Sequence, residues 1–345
     1  MRMVWAVLVI LAIGLVAIHP ALADEVSGRP GGIDFRSGYN SVPALGGPNS
    51  TNSALRLGDA QAQDYYRYSF LRDRLDPYYA FKKRLNDRFG LAVGMDYNVL
   101  YQKASASVGD DEAAGGVFRL YANWTFLGKG RRTNSHLAFR IESRHRLGTT
   151  LAPTELGGAL GSLFGTATSF DGWGWGITNL QWQQLFAGGR YAFAVGQVDA
   201  RDWVDVFPLS NWRTALLSPA VMYPVTHLPR AGLGGAAHAY FREGSTPFVM
   251  AGIFDANGQP YEWGGDTFFG DREYYTVVSA GWTPSFKRRF DDTIRFTYWN
   301  QDAREEAGIP RGWGLTFDAS WRVAERWTPF VRGGYAEGGV VSAKG

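Results

Sequence analysis

"GLTFDASWRV", residues 314–323, alternates almost without error: Leu315, Phe317, Ala319, Trp321 and Val323 share one parity, and Thr316, Asp318, Ser320 and Arg322 share the other. A strand sends successive side chains to opposite faces, so the stretch is a ribbon with one greasy and one polar side. In a soluble sheet the greasy side meets a protein core and the polar side meets bulk water. In a membrane barrel lipid bathes the greasy side and an aqueous lumen the polar one. The stretch alone leaves both assignments open.

The same period recurs along most of the chain. "LAVGMDYNVLYQ" (91–102) sets Leu91, Val93, Met95, Tyr97, Val99 and Tyr101 against Gly94, Asp96, Asn98 and Gln102. "VFRLYANWTF" (117–126) sets Phe118, Leu120, Ala122, Trp124 and Phe126 against Arg119, Tyr121, Asn123 and Thr125. "HLAFRIESRHR" (136–146) sets Leu137, Phe139 and Ile141 against Arg140, Glu142 and Arg144. Further strands are expected over 174–186, 189–199, 232–242, 246–255, 273–283, 292–301, 313–323 and 326–336. That makes about eleven strands of roughly ten residues, a length that crosses a bilayer at a tilt. The connections fall into two sizes: tight turns at 187–189 and 323–326, long loops at 149–171 and 200–230. Short turns at one end and long loops at the other are the habit of outer-membrane barrels.

The amino terminus supports export. Arg2, an apolar run from Val4 to Ile18 and the small-residue pattern Ala21-Leu22-Ala23 read as a signal peptide over 1–23, cleaved near Ala23. The apolar run is too short to span hydrocarbon as a helix, which needs ~20 residues. Residues 24–63 are rich in Gly, Pro, Asn and Ser without periodicity and read as a disordered leader. Over 64–89, Leu71, Leu75, Tyr78, Phe81, Leu85 and Phe89 recur three or four apart, which predicts a short amphipathic helix, interrupted at Pro77. The β-barrel domain then occupies 90–345.

Composition narrows the function. With 345 residues, 44 glycines and 15% aromatic side chains, the chain suits one large all-β unit of short strands and turns. It has no cysteine, which removes disulfides, thiolate metal sites and a lipidated cysteine. A formal net charge of +3 with no basic run gives no footprint for nucleic acid.

The solvent question turns on Arg140, Glu142 and Arg144, consecutive on one face of one strand, with Arg119 on the matching face of the strand before. In a dry core each charge must be paired; in a wide lumen each is hydrated at little cost. The opposite parity, with Leu91, Phe118, Phe139, Ile294, Phe296, Leu315 and Phe317, then meets lipid. Tyr97, Tyr101, Trp124, Phe126, Trp282, Tyr298, Trp321 and Trp327 lie towards strand ends on that parity, where aromatic girdles form. We therefore expect a transmembrane antiparallel β-barrel.

Several stretches, in order, resemble the carbohydrate-selective porin family, the OprB-like outer-membrane channels: "AFKKRLNDRFG", "YAFAVGQVDARDWVDVFPLSNWRTALLSPA", "AGLGGAAHAYF", "FVMAGIFDANGQP", "DDTIRFTYWNQD", "GWGLTFDASWRV" and "TPFVRGGYAEGG". The resemblance runs from about residue 76 to the end. It implies a sixteen-stranded barrel, often a homotrimer, that lets sugars diffuse passively across the outer membrane of a Gram-negative bacterium. Barrels of this kind finish on a strand with a terminal aromatic, whereas this sequence stops at "GGVVSAKG". The reading is a sequence lacking its last strands, with a natural twelve-strand barrel as the alternative.

By parity the pore-lining residues are Arg119, Arg140, Glu142, Arg144, Asp318, Arg322 and Arg332. Arg201, Asp202, Asp205, Asn211 and Arg213, in the long segment 200–230, are candidates for a loop that folds inward and constricts the channel. Arginine and carboxylate offer donors and acceptors to sugar hydroxyls, and aromatic faces pack on the ring. No cofactor or metal is expected: His136, His145, His227 and His238 form no ligand motif, "GWGWG" at 172–176 lacks the helix of a phosphate cradle, and "DAN" at 255–257 is only the start of a calcium loop. Three alternatives stay open. They are an anion-preferring small-solute porin, since arginines outnumber acids in the lining set; a barrel hydrolase using Ser143 and His145, two apart on one strand; and a secreted soluble β-sandwich.

Overall fold

A computed structural model describes residues 12–17, 45–65, 68–162, 164–223, 225, 228–323 and 327–338. Most of the stretch read as an export signal, residues 24–44 of the stretch read as a leader, His227, Ala324–Arg326 and the last seven residues lie outside that set.

Eleven antiparallel strands appear where the alternation predicts them: β2 (Leu91–Lys103), β3 (Glu112–Leu127), β4 (Asn134–Arg146), β5 (Gly174–Phe186), β6 (Tyr191–Val198), β7 (Gly232–Tyr240), β8 (Thr246–Asp255), β9 (Tyr274–Thr283), β10 (Thr293–Gln301), β11 (Gly312–Ser320) and β12 (Trp327–Gly338). A further strand, β1 (Ala12–Ala17), lies within the stretch read as an export signal and pairs with β12 from Ala12↔Arg332 to Ala17↔Trp327. Each of β2 to β12 pairs with its sequence neighbour, giving one meander in the order β1-β12-β11 down to β2. β1 and β2 do not pair, so the sheet is open, and it holds twelve strands among the described residues rather than sixteen. The long connections, 147–173 and 199–231, leave from one end of the strands and the short turns from the other.

The two faces settle how the ribbons are wetted. On β11, Leu315 is exposed while Thr316, Asp318 and Ser320 are buried. On β10, Ile294, Phe296 and Tyr298 are exposed while Arg295, Thr297 and Gln301 are buried; on β3, Leu120, Trp124 and Phe126 are exposed while Arg119 and Asn123 are buried. The sheet is greasy outside and polar inside, the reverse of a soluble sandwich.

Much of the inner face is covered, so its charges do not stand bare on a wide wall as expected. Arg119, Arg140, Glu142, Arg144, Asp318 and Arg332 are all almost fully buried. Two segments cover them. The connection 199–231 returns over the inner face, where Phe207 and Leu209 meet Phe330 of β12, Trp212 and Met222 meet Val117 of β3, and Trp203 and Val204 join an apolar cluster drawn from β5 to β10. One segment touching both β3 and β12 requires the sheet to curl around it. The second segment is amino-terminal.

Within the stretch read as a disordered leader, Thr51–Tyr65 forms helix α1, opened by Ser50, whose Oγ accepts from the Ser53 backbone N–H at 3.2 Å. Its Asn52 is buried between Gln183 and Asn123 of the sheet, at 3.2 and 2.7 Å. A search for apolar periodicity misses such a helix because the face it buries mixes Asn52 and Asp59 with Ala54 and Leu55. Helix α2 (Ser69–Phe89) runs unbroken through Pro77, in its third turn, and ends at Gly90, whose φ of 71° closes the turn with a bond to Asn86 O.

Candidate functional site

Strand parity delivers Arg140, Glu142 and Arg144 to one line on the inner face of β4, and Arg119 to β3, paired in register with Glu142. A bulge in β5 turns both Thr178 and Asn179 inward opposite Arg140. Arg140 Nε donates to Thr178 Oγ1 at 2.7 Å and Asn179 donates to Asp202 Oδ2 at 2.8 Å.

The long connection supplies the missing acids. After β6, Asp199 accepts the Arg201 backbone N–H at 3.0 Å and so fixes the turn that presents Asp202. Arg140 bridges Glu142 at 3.1 Å, Asp199 at 3.1 Å and Asp202 at 3.5 Å, and donates to the Asn49 carbonyl at 2.9 Å. Arg144 holds Glu142 at 2.5 Å and Asp171 at 2.7 Å, its guanidinium 5.0 Å from the Trp173 ring centre. Arg119 grips Asp96 through two nitrogens, at 2.8 and 2.5 Å, and lies over the Tyr121 and Trp212 rings. Arg213 reaches the same Asp96 carboxylate at 3.1 Å. Five guanidiniums (Arg119, Arg140, Arg144, Arg201, Arg213) therefore share the region with five carboxylates (Asp96, Glu142, Asp171, Asp199, Asp202). A small cavity of about 10 Å³ lies among them and is also lined by Asn49, Trp212 and Tyr223.

Burial sets the ionisation of the loop groups. Burial raises the Asp202 carboxyl even beside Arg140. At Asp171 burial also opposes ionisation, but Arg144 and Arg201 outweigh it and hold the carboxyl below its ordinary range. Arg213, buried and near Arg119, is pulled down to about 10.

A second charged group lines the opposite wall. Arg332 of β12 bonds the Met222 carbonyl and the Asp205 carboxylate, both at 2.5 Å, and lies over the Phe207 ring at 4.0 Å. Asp205 sits at a φ of 52°, a left-handed backbone uncommon outside glycine. Arg295 of β10 donates to Val206 O at 2.7 Å and stands 3.9 Å from Asp318 of β11.

Of the seven parity candidates, six lie on this inner face in two groups: Arg119, Arg140, Glu142 and Arg144 on one wall, Asp318 and Arg332 on the other. Arg322 does not join them; it is past the end of β11, in the turn, bonded to Asp291 and Asp292. Among the loop candidates, Arg201, Asp202 and Arg213 meet the first group and Asp205 the second. Asn211 accepts from the Arg213 backbone N–H at 3.1 Å and donates to Pro48 O at 3.2 Å. Sequence reasoning missed Asp96, Asp171, Asp199, Arg295, Trp212 and Tyr223. Asp96 and Arg295 were within reach, since they lie on the inward parities of β2 and β10; the loop residues carry no period that could have found them.

The proposed nucleophile and base do not meet. His145 Nε2 is hydrogen-bonded to Tyr97 Oη at 2.9 Å, with the rings stacked, and Ser143 is buried beside it without a bond to the imidazole. No metal-binding cluster occurs among the described residues. No helix among them is long and apolar enough to cross a membrane, which says nothing about strands.

No family model matches the chain, and no curated protein matches it. Among solved structures, the chain is similar to the high-pH structure of Pseudomonas putida OprB, with 14% identity and a TM-score of 0.48. That alignment covers 70% of this chain and 63% of that one. The low-pH structure of the same protein aligns at 12% identity and a TM-score of 0.22, covering 73% of this chain and 94% of that one.

Proposed function

We propose that this chain is an outer-membrane β-barrel porin whose interior passes neutral, hydroxyl-rich solutes, carbohydrates foremost, by passive diffusion. The observation that carries the reading is the inverted sheet: apolar side chains exposed, arginines and carboxylates buried on the inner face of the same strands. Hydrocarbon is the solvent that makes such an outer face favourable. Cleavage near Ala23 removes β1 and leaves the β12 edge open; β2 is the other free edge, and lipid tolerates neither unless it is paired.

Charge balance separates sugars from anions. The lining arginines outnumbered acids when counted by parity alone, but with Asp96, Asp171, Asp199 and Asp202 in place the cluster is neutral. Arg119, Arg140, Arg144 and Arg201 face the cavity with Glu142 and Asp199, while Asp96, Asp171 and Asp202 offset their charge from behind; with Trp212 and Tyr223 beside them, these fixed donors and acceptors suit a sugar. The catalytic alternative is disfavoured by the engagement of His145 with Tyr97.

Planar-bilayer conductance of the full-length chain, with and without maltodextrin or glucose, tests this. Conductance that sugar reduces, with little preference between anions and cations, is expected. Strong anion preference with no effect of sugar would sink the carbohydrate reading.

A further inference from the structure

Helix α2 is amphipathic with the faces exchanged. Among its described side chains the most buried are Lys82 and Asn86, at 4% and 3% exposure, whereas Phe70, Phe81 and Phe89 are 64%, 49% and 54% exposed. Lys82 is occupied by Asp59 of α1 at 3.0 Å and lies over the Tyr78 and Tyr79 rings at 5.4 and 5.1 Å. The outward line reads Phe70, Arg74, Pro77, Phe81, Arg84, Arg88, spaced four and three apart, so aromatic and cationic side chains share one stripe. The helix as a whole has six basic and three acidic residues. Over 21 residues it extends about 30 Å.

Its carboxyl-terminal end is joined to the exposed greasy side of the sheet. Trp124 Nε1 donates to Phe89 O at 3.1 Å, the Trp124 and Phe126 rings meet at a tilt with centres 5.7 Å apart, and Lys129 donates to Asp87 O at 3.1 Å. These contacts lie where the short turns leave the strands.

We propose that α2 lies in the membrane interface at the short-turn end, its Phe70 and Phe81 rings in the acyl boundary and Arg74, Arg84 and Arg88 on lipid phosphates. A stripe of rings and guanidiniums fits an anionic bilayer surface, in which apolar area and charge both contribute to attachment. A second copy of the helix fits it poorly, because three of the six stripe positions would bury unpaired arginines in a helix-helix seam. The proposal rests on the membrane reading above and adds an anchor outside the sheet.

The chain contains no cysteine, so single sites can be labelled in the full-length protein. Phe70→Cys, Phe81→Cys and Phe296→Cys, each spin-labelled in bilayers of phosphatidylethanolamine and phosphatidylglycerol, report collision with oxygen or with a water-soluble nickel chelate. All three labels are expected to favour oxygen. Replacing Arg74, Arg84 and Arg88 by Glu should expose the Phe81 label to the chelate, by roughly fivefold per guanidinium lost. A lipid-shielded Phe296 label with water-exposed Phe70 and Phe81 labels would overturn the anchor alone. Spin-spin broadening between copies at Phe81 would replace lipid by a second chain. A water-exposed Phe296 label would remove the membrane reading together with the anchor.

Discussion

Glu142 on β4 and Asp318 on β11 are both buried carboxylates on the inner face, each with two arginines within reach, and they are held very differently. Glu142 lies between Arg140 and Arg144 at 3.1 and 2.5 Å. Asp318 is in register with Arg295 on one side and Arg332 on the other, yet its nearest guanidinium is 3.9 Å away and neither carboxylate oxygen has a hydrogen-bond partner among the described residues. The reason is competition. Arg295 turns to the Val206 carbonyl and Arg332 to the Met222 carbonyl and the Asp205 carboxylate, all in the returning segment, so the charges that face Asp318 across the strands are used elsewhere. On β4 the same segment brings Asp199 and Asp202 to Arg140 without drawing it away from Glu142, and Glu142 keeps both partners. An inward charge therefore lines the site or braces the loop according to which atoms of 199–223 it meets.

The contrast can be broken or sharpened at several points. Arg140→Ala should have the largest effect: it strips Glu142, Asp199 and Asp202 of a shared cation in a buried place, for a loss of about 3–5 kcal/mol of stability, read from denaturant or thermal unfolding in detergent. Near-normal stability would mean that water reaches these carboxylates.

A third buried carboxylate extends the comparison outside the sheet. Asp59 on α1 has one partner, Lys82, and an unpaired Oδ2; burial raises its pKa to about 6 from 3.8 despite Lys82. A raised carboxylate pKa favours the folded state below the unfolded value, and that advantage disappears as pH climbs through 6. The α1–α2 contact should weaken between pH 4 and 7, by at most about 3 kcal/mol. Amide exchange at residues 52–59 measures it, and Asp59→Asn should flatten the profile.

Glu142→Gln should cost less, about 2 kcal/mol, because Arg140 and Arg144 keep Asp199 and Asp171. It leaves the neutral cluster one charge positive, so channel selectivity should move towards anions, and unchanged reversal potentials would place the ion path elsewhere. Asp318→Asn should be the mildest, within about 1 kcal/mol, since the carboxylate has no hydrogen bond to lose. A severe loss there would show that the 3.9 Å pair with Arg295 holds the wall.

Period two, sustained from Leu91 to Tyr335, was enough to place eleven strands, because a strand's faces are set by its own backbone and hold whatever the fold does with them. Parity likewise placed six of seven inward charges, failing at Arg322 because a ribbon's alternation says nothing once the chain has left it for a turn. The length of 200–230 suggested a segment that turns inward, but neither its contacts nor the amino-terminal cover could be read from alternation. Residues 45–59 and 199–223 bury apolar side chains such as Leu55, Phe207 and Trp212 as well as polar ones such as Asn52 and Asp202, in a mixture with no repeat for a period search to find. Which charges meet was likewise a matter of tertiary structure: ion pairs such as Arg140 with Asp202, or Arg332 with Asp205, join groups far apart in sequence, and only the curl of the sheet around the returning segment brings them within reach.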